Sequence, residues 1–181
     1  MTITKTNIEG CIVIDPTIFE DDRGVFFESY NNKNLERYLG KEIDFVQDNH
    51  SVSNKGVIRG LHYQKEPYSQ IKLVRVIQGE VIDVVVDIRK NSKSFGEYFK
   101  IRLSGDNKKM LFVPGGLAHG FLALKDNTVF LYKCDQYYNK EAEGGIIYDD
   151  PDLGINWEFP KDQLILSEKD KELPLFKNLQ L

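Results

Sequence analysis

Two of the three histidines stand in nearly the same setting, Arg59-Gly60-Leu61-His62-Tyr63-Gln64 and Pro114-Gly115-Gly116-Leu117-Ala118-His119-Gly120-Phe121. Each places an imidazole beside glycines within a strand-like pattern. Imidazole exchanges its proton readily near neutral pH and is also a common metal ligand. A fold that joins the two segments would therefore build a site for proton transfer or for a metal. Arg59, Lys72, Arg75 and the run Gln47-Asp48-Asn49-His50 lie near His62 in sequence. Guanidinium binds phosphate through two parallel hydrogen bonds and ammonium acts as a point charge, so this set suits an anionic, oxygen-rich ligand. Asp83 lies in an apolar run and needs a partner if buried, which makes it a candidate to support the site from behind. His50 has no such support and reads as structural.

The elements that must position these groups are mostly strands. Alternation predicts strands over 3–14, 25–30, 44–51, 57–64, 71–77, 80–88, 98–103, 110–113, 120–124, 129–134 and 145–148, separated by turn residues such as Gln78-Gly79 and Asp126-Asn127. In Val81–Asp87, Asp83, Val85 and Asp87 should share one face, and Ile82, Val84 and Val86 the other. One helix is expected, capped by Asn31 or Asn32, with Leu35, Tyr38 and Leu39 on one face and Gly40 at its stop. The tail from Pro160 mixes short helical turns with loop. Many short strands at close spacing predict a mainly β sandwich or barrel, and 181 residues form one domain, 1–181.

Net charge of −4 argues against broad nucleic-acid binding, which calls for a basic face. No apolar run approaches the length of a membrane span, and the N-terminus does not read as a signal peptide. Cys11 and Cys134 lack metal or redox spacing, so a reduced, cytoplasmic setting is expected.

Pro114, Gly116 and His119 are similar to the second motif of the cupin double-stranded β-helix, and Gly56 with His62 to the start of the first. Metal-binding cupins continue that first motif with a second histidine and a glutamate. Here Gln64 stands at the histidine position, and Tyr68 and Ser69 fall where the glutamate would be. Transition metals prefer imidazole, carboxylate or thiolate, so the expectation is a cupin-type jelly-roll barrel with short peripheral helices and no metal.

Laid side by side, the segments resemble the dTDP-4-dehydrorhamnose 3,5-epimerase family nearly end to end. The likeness runs through Asp22-Arg23-Gly24, Phe27-Glu28-Ser29-Tyr30, Phe45–Ser51, Val57–Gln64, Lys72–Arg75, Gly79-Glu80-Val81, Ala118–Phe121, Leu131-Tyr132-Lys133 and Gly154–Trp157. It departs at Leu117, where the family usually carries phenylalanine. The resemblance implies a metal-free, cofactor-free epimerase acting on dTDP-4-dehydro-6-deoxy-D-glucose at C3 and C5, as a step of dTDP-L-rhamnose formation. It implies His62 as base, Tyr132 as acid, Lys72 at the enolate oxygen and Asp170 as the residue orienting His62. For nucleotide and diphosphate it implies Phe19, Arg23, Glu28, Gln47, Asp48, Asn49, Arg59, His119, Glu143 and Lys169, with Tyr138 as a stacking surface. It further implies a homodimer in which the region of Phe19 and Arg23 reaches the neighbouring site. Three other readings remain open: inversion at only one carbon, a sugar-nucleotide-binding cupin without catalysis, and a metal-dependent cupin enzyme.

Overall fold

The structure, a computed structural model, describes residues 1–180. Thirteen strands are β1 Thr2–Lys5, β2 Ile12–Asp15, β3 Phe19–Asp21, β4 Gly24–Phe26, β5 Gln47–Ser53, β6 Ile58–Gln64, β7 Lys72–Gln78, β8 Glu80–Asp87, β9 Tyr98–Ser104, β10 Met110–Val113, β11 Leu117–Ala123, β12 Thr128–Cys134 and β13 Glu143–Gly145. Two sheets face each other, one ordered β1-β2-β10-β7-β12-β5 and the other β13-β6-β11-β8-β9, with β3 and β4 forming a separate hairpin arm. This is the cupin-type jelly roll.

Alternation places the cores. Val81 and Val85 of β8 pack between the sheets with Val74, Leu111 and Phe130, while Ile82, Val84 and Val86 face the opposite side under Ile146, Ile155 and Trp157. A third cluster seats Leu35 and Ile43 on Ile14, Leu73 and Phe112. Truncating a fully buried phenylalanine such as Phe130 to alanine would cost about 3–5 kcal/mol.

The helix α1, Asn32–Leu39, starts where the Asn31 side chain accepts from the Asn34 N–H and ends at Gly40 in the left-handed region, as the capping residues predict. Of its expected apolar face, Leu35 is buried but Tyr38 is exposed. The tail holds two 3-10 turns and the four-residue α2, Glu168–Lys171.

The strand expected over 145–148 falls instead on Glu143–Gly145, and two further expected strands are cut short. Residues 3–14 are not continuous: Gly10 takes a φ of 80°, and Thr6 Oγ1 bridges the Ile8 N–H and the Cys11 carbonyl, folding the segment into a hairpin. The strand over 25–30 stops at Phe26, where the arm runs out of a pairing partner.

Candidate active site

Glycine explains why both histidines have the neighbours they do. His119 of β11 stands directly opposite His62 of β6. A Cβ on Gly60 would lie 2.5 Å from Gly120 Cα, and one on Gly120 would lie 2.7 Å from the Arg59 carbonyl oxygen. Only glycine lets the two backbones approach this closely beside the imidazoles.

The two histidines line one cavity of about 550 Å³ between the sheets. Period-2 geometry decides what joins them. From the five-stranded sheet come Arg59, His62, His119 and Phe121; from the facing sheet come Ser51, Lys72, Phe130 and Tyr132. The segment after Ile165 closes one side with Ser167, Lys169 and Asp170. Phe121 and Phe130 stack at 4.2 Å, giving the site an apolar floor.

His62 Nε2 meets Asp170 Oδ1 at 2.6 Å, a contact spanning 108 residues of chain. The Ser167 hydroxyl accepts the Asp170 N–H and so caps α2. Burial opposes ionisation of Asp170, but hydrogen bonds from His62 and Ser167 and the Gly60 backbone outweigh it and hold the carboxyl below its ordinary range. With Nε2 engaged, Nδ1 is the ring nitrogen left to act. His119 Nε2 meets both oxygens of Asp83, at 3.0 and 2.9 Å. Here burial wins: it pushes the Asp83 carboxyl up against the opposing pull of His119 and Lys72.

The Lys72 ammonium lies 5.8 Å from the centre of the Tyr132 ring and makes no hydrogen bond among the described residues. Burial lowers its pKa, partly offset by the neighbouring Cys134, Asp83 and Glu143. Burial likewise raises the pKa of Tyr132, which keeps its phenol protonated. Arg59 donates from Nε to Ser53 Oγ at 3.2 Å, leaving its terminal nitrogens for an anion. Beside the cavity, Glu143 accepts from Tyr138 Oη at 2.8 Å and pairs with Lys169 at 2.5 Å. Gln47 and Asn49 are joined at 3.0 Å on the inner face of β5.

Not every expected residue arrives. Asp48 points to the outer face of β5, where Lys133 binds it at 2.9 Å, because its neighbours Gln47 and Asn49 take the inner positions. Phe19, Arg23 and Glu28 lie on or beside the hairpin arm, away from this cavity, and the Arg23 side chain is 90% exposed. Ser51 was missed. Its Oγ is buried without a hydrogen-bond partner and its residue lines the cavity. Continuing the alternation of Gln47 and Asn49 by one step would have found it.

Gln64 does not stand in for a metal ligand. Its amide is spent on backbone, donating to the Tyr68 and Tyr137 carbonyls and accepting from the Asn139 N–H. Among the described residues no cluster of three or more His, Cys, Asp or Glu side chains could hold a metal ion.

The family model for dTDP-4-dehydrorhamnose 3,5-epimerase matches residues 5–178. The chain belongs to the dTDP-4-dehydrorhamnose 3,5-epimerase family. An enzyme of that name from Shigella flexneri is 49% identical over 170 residues, 94% of this chain and 93% of the relative. The crystal structure of such an epimerase from Elizabethkingia anophelis NUHP1 superposes with a TM-score of 0.97 at 49% identity, covering 100% of this chain and 99% of that one. That of an epimerase from Legionella pneumophila, in complex with dTDP-4-keto-L-rhamnose, gives a TM-score of 0.94 at 46% identity, covering 99% and 94%. The chain is an isomerase of the epimerase class, and none of its helices, among the described residues, is long and apolar enough to cross a membrane.

Proposed function

We propose that this epimerase inverts C3 and C5 of dTDP-4-dehydro-6-deoxy-D-glucose, giving dTDP-4-dehydro-L-rhamnose, through an enolate formed between its two sheets. One observation carries the reading. His62, held by Asp170 of α2, projects from one sheet and Tyr132 from the other, so a sugar ring lying in the cavity has a base on one face and an acid on the opposite face.

A ketone at C4 acidifies the protons on C3 and C5. His62 Nδ1 removes a proton, and Asp170 stabilises the resulting imidazolium through Nε2. Negative charge develops on the C4 oxygen, where the unpaired Lys72 ammonium and His119 meet it without reorganisation. Tyr132 returns a proton from the other face, and solvent resets both groups. No redox or metal chemistry is required by this sequence of steps. Arg59 and Lys169 take the diphosphate, and Tyr138 with Glu143 borders the nucleoside.

The dTDP-4-keto-L-rhamnose bound in the relative from Legionella pneumophila, the product of this reaction, supports a dTDP-sugar ligand here. The arm supports a homodimer: Phe19 and Phe26 are exposed on it, and Arg23 at its tip, paired with Asp21 yet largely exposed, would reach a neighbour's site, with Glu28 at its base. Asp48, exposed on the outer face of β5, would be reached from such a neighbour. Two buried free cysteines support a reducing, cytoplasmic setting for a single domain spanning 1–181.

Turnover in deuterated water tests the chemistry. Deuterium should enter at both C3 and C5 without added metal. Label at one carbon would reassign the enzyme to a mono-epimerase, and label at neither would refute enolate formation.

A further inference from the structure

Residues 136–139, between β12 and β13, have no regular structure, yet their backbone is held at four successive positions by glutamine side chains. Gln70 Nε2 donates to the Gln136 carbonyl at 2.8 Å. Gln64 Nε2 donates to the Tyr137 carbonyl at 3.3 Å, and Gln47 Oε1 accepts from the Tyr138 N–H at 3.1 Å. Gln64 Oε1 accepts from the Asn139 N–H at 2.7 Å. Asn139 Oδ1 then accepts from the Glu141 and Ala142 N–H groups, extending the hold towards β13. Gln64 is the centre of this clamp. It is buried, and its third bond, to the Tyr68 carbonyl at 2.7 Å, ties the same amide to the turn before β7.

The loop so fixed displays two rings outward, Tyr137 at 68% and Tyr138 at 55% exposure. Tyr138 is fixed at both ends, by its backbone on Gln47 and its hydroxyl on Glu143. An exposed aromatic on a braced loop gains affinity for a flat ligand because little remains to be ordered on binding. A primary amide is the side chain that can donate to two carbonyls and accept from one N–H at once. Leucine would leave three backbone groups unpaired, and glutamate would turn an oxygen towards two carbonyl oxygens.

We propose that Gln64 is a positioning residue for nucleobase recognition, fixing residues 137–139 so that Tyr138 presents its ring to the base. This rests on the reading of Tyr138 as the stacking residue. It gives a use to a position that carries a metal ligand in metal-binding cupins.

The test uses the full chain, with dTDP and inorganic pyrophosphate as calorimetric probes and amide hydrogen exchange over 136–139. Gln64→Leu should weaken dTDP about tenfold, the scale of one lost base–aromatic stack. KM should rise with it, kcat should hold, pyrophosphate affinity should not move, and the Tyr138 and Asn139 amides should exchange faster. In a Tyr138→Ala background the same substitution should add nothing to the loss of dTDP. Equal loss of pyrophosphate, unchanged exchange, or a full effect without Tyr138 would each overturn the clamp. If Tyr138→Ala alone leaves dTDP affinity intact, the stacking role fails instead, and the proposal falls with it. Should Gln64→Leu not fold, Gln70→Ala frees only the Gln136 carbonyl at the surface. It should shift exchange and dTDP affinity in the same direction by a smaller factor, and no shift in either would count against the clamp.

Discussion

His62–Asp170 and His119–Asp83 are the same pair of residue types, with their histidines opposite one another on adjacent strands, yet they differ in exposure and in the charge state of the carboxylate. The His62 and Asp170 side chains are 30% and 5% exposed; those of His119 and Asp83 are 7% and 0%. Asp170 is pulled below its ordinary pKa, while Asp83 is pushed above its own. The identity of the partner therefore does not decide the role. Depth does: near the mouth, hydrogen bonds outweigh desolvation, and in the interior desolvation prevails. The outer pair suits a base that must gain and lose a proton each turnover, and the inner pair suits a fixed wall.

The largest expected effect tests that division directly. His62→Ala should lower kcat by about 10³-fold, within the range for a lost general base, and abolish deuterium exchange at both carbons. A rate near that of the parent would break the comparison by moving the base to His119. Asp170→Asn should reduce kcat by a smaller factor, about 10²-fold, because Nδ1 remains while its imidazolium loses its counter-charge. Measured single-turnover rates that match the parent would show that Asp170 only packs.

The smallest effect concerns stability, and its sign separates the pairs. Because the folded state depresses the Asp170 pKa, its stabilisation is present above the ordinary carboxylate range and disappears as pH falls through the folded value. Because the folded state raises the Asp83 pKa, stability is lost as pH rises from the ordinary value through the raised one. Denaturant unfolding should therefore show Asp170→Asn losing ground to the parent between acid and neutral pH, and Asp83→Asn gaining ground. Slopes of the same sign would erase the distinction.

Much of this architecture is legible in the sequence, for physical reasons that also mark where reading stops. Alternation in Val81–Asp87 specifies both faces of β8, and Asn31, Leu35 and Gly40 specify α1, because each is a local rule. The same rule, applied along β5, separates Asn49 and Ser51 from Asp48. Gly10 hides a hairpin inside a loosely alternating segment, since one left-handed residue reverses the chain without altering hydropathy. Asp170 could be named only by family resemblance. No local pattern reports a contact across 108 residues, and the cap set by Ser167 locates α2 without saying what it touches.

That contact has a consequence for biosynthesis. The backbone of Ile165 pairs with Gly56 and Ile58, and the segment beyond it delivers Asp170 to β6. During translation the barrel strands emerge first, with the imidazole already in place. Its carboxylate is still unmade, so a nascent chain can be nearly complete in shape while its base remains without a counter-charge. Acquisition of activity should consequently mark the docking of this late segment, not closure of the sheets.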